Sequence, residues 1–185
     1  MFNEFASQKR EKRADQQRVQ DRDDRVQQAR RDLYARLNAT ARAYRVAARD
    51  AVRAMERGED VDSAGLDAAK EAWAEEYSQA QMALSEDVLE VTSTLNRALG
   101  VGYTVVKQLP SSPSPATHSR ANAWFSGPLS DGVYLLRVTL RDDLGVEVKP
   151  DFECSRTRGL ASLNSERRSL ERQLDSEHAQ GSRSA

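Results

Sequence analysis

From Val19 onward the apolar residues fall at helix spacing: Val19, Val26, Leu33, Leu37, Ala41, Tyr44, Ala48, Val52 and Met55. Steps of three, four and seven place them on one helix face rather than on alternate sides of a strand. Gly58 follows the last of them and suits the left-handed position after a helix C-terminus, with Arg57 beside the negative end of the dipole. A second seam begins after Asp62 and Ser63, both good capping residues, and runs Leu66, Ala69, Trp73, Tyr77, Ala80, Leu84, Val88, Val91, Leu95, Leu99. Two long helices joined by about five residues fold back on each other. The pattern therefore predicts a coiled-coil-like antiparallel hairpin over residues 21–99, with its turn near 58–62.

The two seams match when partner numbers sum to 121, so that Tyr44 meets Tyr77, Leu37 meets Leu84, and Ala48 receives Trp73. Under this rule Leu99 lies opposite Arg22, which leaves residues 1–20 as a charged arm without a partner in the hairpin. As a helix the arm would be about 30 Å long, at 1.5 Å per residue.

After Leu99 the period changes. Tyr103, Val105 and Val106 are β-type residues near Gly100 and Gly102. The stretch 110–128, which opens PSSPSPATHSR, reads as a Pro/Ser linker. Then Tyr134, Leu136, Val138 and Leu140 alternate with Arg137, Thr139 and Arg141. Alternation resumes with Leu144, Val146 and Val148 past Asp142 and Asp143, close to Gly145. Two such runs around an Asp-rich turn predict a β-hairpin. A helix through Val133, Leu136, Leu140 and Leu144 leaves Val138, Val146 and Val148 unexplained. Residues 100–150 are thus expected to form a small antiparallel β element, with Trp124-Phe125 and Tyr103–Lys107 supplying further strands. Leu160, Leu163, Leu170 and Leu174 predict an amphipathic helix over 151–178, with Arg167 and Glu171 paired, before a disordered tail at 179–185. The expected fold class is α+β, mainly α.

Composition narrows the picture. Apolar residues make up 38% of the 185, yet Ile is absent and Leu, Val and Phe number only 35, which excludes a large globular core. No run approaches the 18 apolar residues of a membrane span. The N-terminus, MFNEFASQKREKR, lacks the apolar stretch of an export signal, and Cys154 is alone, so a reducing cytoplasm is expected. Arg outnumbers Lys 23 to 5, a bias that suggests a GC-rich bacterial genome. The net charge of −1 hides a balance of +6 over residues 1–57 and −8 over residues 58–99. Opposite signs on successive helices favour their pairing, at about 0.2–1 kcal/mol per exposed pair.

Candidate chemistry is sparse. Gly100 and Gly102 do not make a dinucleotide loop, because they follow a helical seam and position 105 is Val where a third glycine belongs. His118 and His178 lack the Cys or His spacing of a metal site, and a solvated loop position is expected for both. Cys154 has no electropositive company that would activate a thiol. No catalytic, cofactor or metal-ligating constellation is expected, nor a small-molecule substrate or a membrane partner.

The leading expectation is therefore a non-enzymatic interaction or scaffolding protein that binds a protein partner or itself. Its surfaces would be the arm and its seam (Phe2, Phe5, Val19, Val26, Leu33) and the C-terminal stripe (Leu160, Leu163, Leu170, Leu174). The alternative is a nucleic-acid partner held by Lys9, Arg10, Lys12, Arg13 and Arg18, whose cations suit phosphates. Asp15, Asp21, Asp23 and Asp24 oppose that reading, and no aromatic is interleaved for base stacking.

Overall fold

The computed structural model describes residues 2–61, 63–109, 115–146 and 151–181, with side chains between 12 and 176 of these. About 90% of the described residues are helical, and none forms a strand. Among the described residues six helices follow one another: α1 (Phe2–Glu56), α2 (Ser63–Ala80), α3 (Glu86–Gln108), α4 (Pro115–Ser126), α5 (Pro128–Asp143) and α6 (Phe152–Gly181). The expected α+β class is thereby corrected to all-α. The chain divides into two units, Met1–Ala35 and Arg36–Ala185.

Within the first unit the described chain, from Phe2 on, is one run of α1. It holds no Gly or Pro, and its Arg, Gln, Ala and Asp carry local pairs. Gln28 donates to Asp32 at 2.8 Å, and Arg30 donates to the Tyr34 hydroxyl at 3.0 Å, four residues on in each case.

Within Arg36–Ala185, α1 ends at the expected glycine. Gly58 has φ 69°, Gly58 N–H bonds Met55 O at 3.1 Å, and Glu59 N–H bonds Ala54 O at 2.9 Å, the paired bonds of a Schellman cap. The second helix of the expected hairpin is not continuous. It breaks at 81–85, where Met82 is 89% exposed, and α3 turns back along α2. Cross-helix bonds among the described residues fix that antiparallel pairing. Trp73 Nε1 donates to Asn96 Oδ1 (2.8 Å), Tyr77 and Ser93 share a hydroxyl bond (3.1 Å), Tyr103 donates to Asp67 (2.8 Å), and Lys107 donates to Ser63 (2.7 Å). Their residue numbers sum to 169 or 170, so the fold-back centres on residue 85. Ser85 occupies the N-cap position of α3, but its hydroxyl donates to Asp143 Oδ1 at 2.6 Å instead of capping.

The register of α1 on α2 also differs from expectation. Arg36 Nε bonds both oxygens of Glu76 at 3.0 Å. This pair sums to 112, not 121. The nine-residue shift leaves the last turns of α1 to meet α4 instead. There Arg45 Nη1 donates to Phe125 O at 3.0 Å, and Asn122 donates to Glu56 at 3.3 Å.

Helix α3 is the centre of the body, packing on α4, α5 and α6, while α5 also packs on α4 and α6. Ten of its residues are buried, among them Val88, Val91, Leu95 and Leu99. Burying a side chain of that size contributes about 1.5–3 kcal/mol. The expected strand at Tyr103–Lys107 lies in its last two turns. A Cβ on Gly102 would stand 2.9 Å from Phe125 Cε1 and 3.2 Å from Trp124 Nε1, so this glycine marks the crossing of α4 over α3 rather than the edge of a strand. The expected β-hairpin is likewise helix α5. Leu129, Val133, Leu136 and Leu140 line its core face, and Leu135 and Thr139 are buried beside them. Gly145, with φ 71°, closes a second Schellman cap (Val146 N–H to Arg141 O, 2.9 Å) where a hairpin turn was expected. Residues 147–150, the rest of that expected second strand, lie outside the described residues, as do 110–114 of the linker. From Pro115 the linker is helical, with the proline at the first position of α4, where its missing N–H costs nothing.

Candidate docking surface

Every described side chain from Lys12 to Ala29 is exposed. Val19 is 59% and Val26 57% exposed. They stand seven residues apart, two turns along one face. Asp15, Gln16, Val19, Gln20 and Asp23 line a shallow open groove along that face. Leu33, next in the series, is half-buried, and Tyr34 beside it is buried. Phe2, Phe5, Lys9 and Arg10 belong to the part of α1 whose side chains lie outside the described residues.

The cations proposed for nucleic acid are interleaved with acids. Lys12, Arg13 and Arg18 are exposed, but so are Asp15, Asp21, Asp23 and Asp24. Arg18 stands 3.6 Å from Asp15, its neighbour three residues back, in full solvent. Among the described side chains, from Lys12 on, such a face alternates in sign and presents no continuous positive track for a phosphate backbone.

The C-terminal stripe is used internally. Leu160, Leu163 and Leu170 are buried, and only Leu174 keeps partial exposure. Leu163 reaches into the space left by Gly132 of α5, while Leu135 of α5 lies against Gly159 of α6. For Leu160, Leu163 and Leu170 the expectation that they serve a partner is corrected, because they are buried in the fold, where α6 packs on α3 and α5; Leu174 is not covered in this way. Arg167 and Glu171 do pair, at 2.6 Å.

Several polar side chains join the helices, and Arg156, Asp67, Lys107 and Arg45 among them were singled out by no sequence pattern for this role. Arg156 of α6 is held by Asp87 (2.9 Å) and Glu90 (2.9 Å) of α3 and by Glu153 (3.0 Å). Burial works against its charge, and the bond to Glu153 with the fields of Asp87 and Glu90 outweighs it, raising the pKa. Between α2 and α3, bonds from Lys107 and Tyr103 hold the Asp67 carboxyl below its ordinary value. Burial pushes the Tyr44 phenol up, and Tyr103 and Asp67 add to the shift. On α1, burial lowers Arg45, and the neighbouring cations Arg49 and Arg42 lower it further.

His118, expected in a solvated loop, is instead buried in α4, its Nδ1 without a hydrogen-bond partner. Cys154 is exposed. A cleft of about 200 Å³ between α4 and α6 is lined by Arg120, Trp124, Glu166 and Gln173 among others. Its Trp124 nitrogen faces Gly102 of α3, so the indole N–H belongs to the helix crossing. Among the described residues no three His, Cys, Asp or Glu side chains form a group able to hold a metal ion, and no helix is long and apolar enough to cross a membrane. No family model, curated protein or solved structure matches the chain.

Proposed function

We propose that this is a non-enzymatic interaction or scaffolding protein of the cytoplasm, in which residues 12–29 of α1 form a docking face for another helix. One observation carries the reading: Val19 and Val26 stand exposed two turns apart on a helix whose neighbouring described side chains are all exposed too. A seven-residue apolar step is what a partner helix reads. The six-helix architecture supports it from the other side, because most of the apolar seam residues of α2, α3, α5 and α6 are buried in the core, Tyr134 being an exposed exception.

A benzophenone side chain placed at position 26 of the full chain tests the reading. Illumination of the purified protein over a range of concentrations, and of the protein in a cell extract, should yield a discrete adduct of higher mass. The Val19→Asp/Val26→Asp variant without the probe should compete poorly for the same occupant and keep its helical circular dichroism. No adduct under either condition would end the docking reading.

A further inference from the structure

We propose that the later part of α1 is a phosphate-tracking surface for nucleic acid, formed by Arg42, Arg45, Arg49 and Arg53. This contact is separate from the docking face at Val19 and Val26, and neither reading depends on the other.

The four arginines follow helix spacing of three, four and four, so they form one stripe, about 16 Å long at 1.5 Å per residue. Residues 36–57 hold six arginines against two acids, Asp50 and Glu56. Arg36 and Arg57, away from the stripe, are taken by Glu76 and Glu59. Within the stripe, and among the described residues, Arg49 alone has a carboxylate partner, Asp50 at 2.8 Å. Arg42 and Arg53 are exposed. Arg45 is half-buried; it donates to the Phe125 carbonyl near the end of α4, and its buried Nε has no hydrogen-bond partner. Burial lowers the Arg45 pKa, and Arg49 and Arg42 lower it further, with Asp50 acting the other way. A half-buried guanidinium without a carboxylate, set among like charges, is a costly arrangement that an incoming anion relieves. Helix α4 lies beside the stripe, where Arg45 meets Phe125 and Asn122 meets Glu56, and it carries Arg120 and no acid. The segment 12–29 differs in this respect, because four aspartates break up its cations.

The surroundings of the stripe select a phosphate backbone from among anionic partners. Guanidinium forks match phosphate oxygens two at a time. Among the described residues no large apolar side chain is exposed along 36–57, so the stripe has nothing to insert into a lipid surface or to fill a pocket on a protein. The neighbouring rings of Tyr44, Trp124 and Phe125 are buried, which leaves none to stack on a base. Binding should therefore be weak, independent of base sequence and steeply dependent on salt.

The test is fluorescence polarisation of a labelled DNA duplex with the full chain across a salt series. Affinity should fall on the order of a hundredfold between about 50 and 200 mM salt, as four neutralised phosphates imply. Arg42→Gln and Arg53→Gln, both at exposed positions, should each lower the salt slope by about one and leave circular dichroism unchanged. Asp50→Asn releases Arg49 and should tighten binding about fivefold at low salt. Lys12→Gln with Arg13→Gln and Arg18→Gln should leave the slope as it was. Absence of binding at low salt would overturn the proposal. So would a slope that moves with Lys12, Arg13 and Arg18 but not with Arg42 and Arg53. A poly-glutamate peptide that binds as tightly as the duplex would overturn nucleic acid in favour of an acidic protein. The docking face answers to its own adduct at position 26, so either reading can fail alone.

Discussion

Two glycines in one helix show how far a residue's meaning depends on its neighbours. Gly100 and Gly102 both lie in α3, yet a Cβ on Gly100 would meet nothing within 4 Å, while one on Gly102 would press on Phe125, Leu129 and Trp124. Gly100→Ala should therefore stabilise the protein by about 0.5–1 kcal/mol through helix propensity alone. Gly102→Ala gains the same propensity but must displace two rigid rings, and overpacking of that kind costs about 1–3 kcal/mol. Chemical denaturation of both variants should give opposite signs; two stabilised variants would mean that α4 yields easily over α3. The threonines carry a related lesson. Thr92 and Thr139 are β-branched and fully enclosed, and each satisfies its hydroxyl on the carbonyl four residues back (2.6 and 2.9 Å). A residue that argues for a strand when read singly is accommodated in a helix once its hydroxyl has that partner.

Among the elements, the α2–α3 pair is the one the seam concealed. Its apolar positions run on through residues 81–85 at nearly unbroken helix spacing, because both helices bury a face in the same core. Only Ser85, followed by Glu86 and Asp87, signals a fresh N-terminus. The pair is clipped by Asp67, Tyr103 and Lys107, and these groups give it a pH dependence of definite sign. The Asp67 pKa is lowered by its bonds to Lys107 and Tyr103, so its contribution is present above the ordinary carboxylate range and is lost as pH falls through the lowered value. Bonding to Asp67 raises the pKa of both Tyr103 and Lys107, so their contributions are present below their ordinary values and lost as pH rises through the raised ones. Asp67→Asn should therefore lower the unfolding midpoint near neutral pH, with the gap from the unsubstituted chain closing toward both extremes. A gap that stayed constant across the titration would show that the clip carries no pH-dependent stability.

For the whole molecule, the division into Met1–Ala35 and Arg36–Ala185 implies unequal stability. The described side chains of residues 12–29 bury nothing, so removing residues 1–28 should leave the thermal midpoint of the body within about 2 °C, at protein concentrations below those of assembly. The same deletion should abolish assembly. A large fall in the midpoint would show that the segment supports the fold. By itself, the sequence determined the long first helix, its stop at Gly58, the seven-residue step of Val19 and Val26 along one face, and the C-terminal helix carrying Leu160 and Leu163. Each of these rests on local propensity, capping and one-sided periodicity, which a chain carries without its neighbours. That Val26 stands exposed, where the expected register set it against Leu95, was decided by the tertiary structure. Tertiary structure decided the rest: the fold-back at residue 85, the shifted register of α1, and the helical state of α4 and α5. The physical reason is burial on several sides at once. Helix α5 packs against α3, α4 and α6 together, so Leu135 and Leu136 are both buried and its apolar residues cease to mark a single face. Its residues then alternate much as a strand's would, and only the surrounding helices distinguish the two.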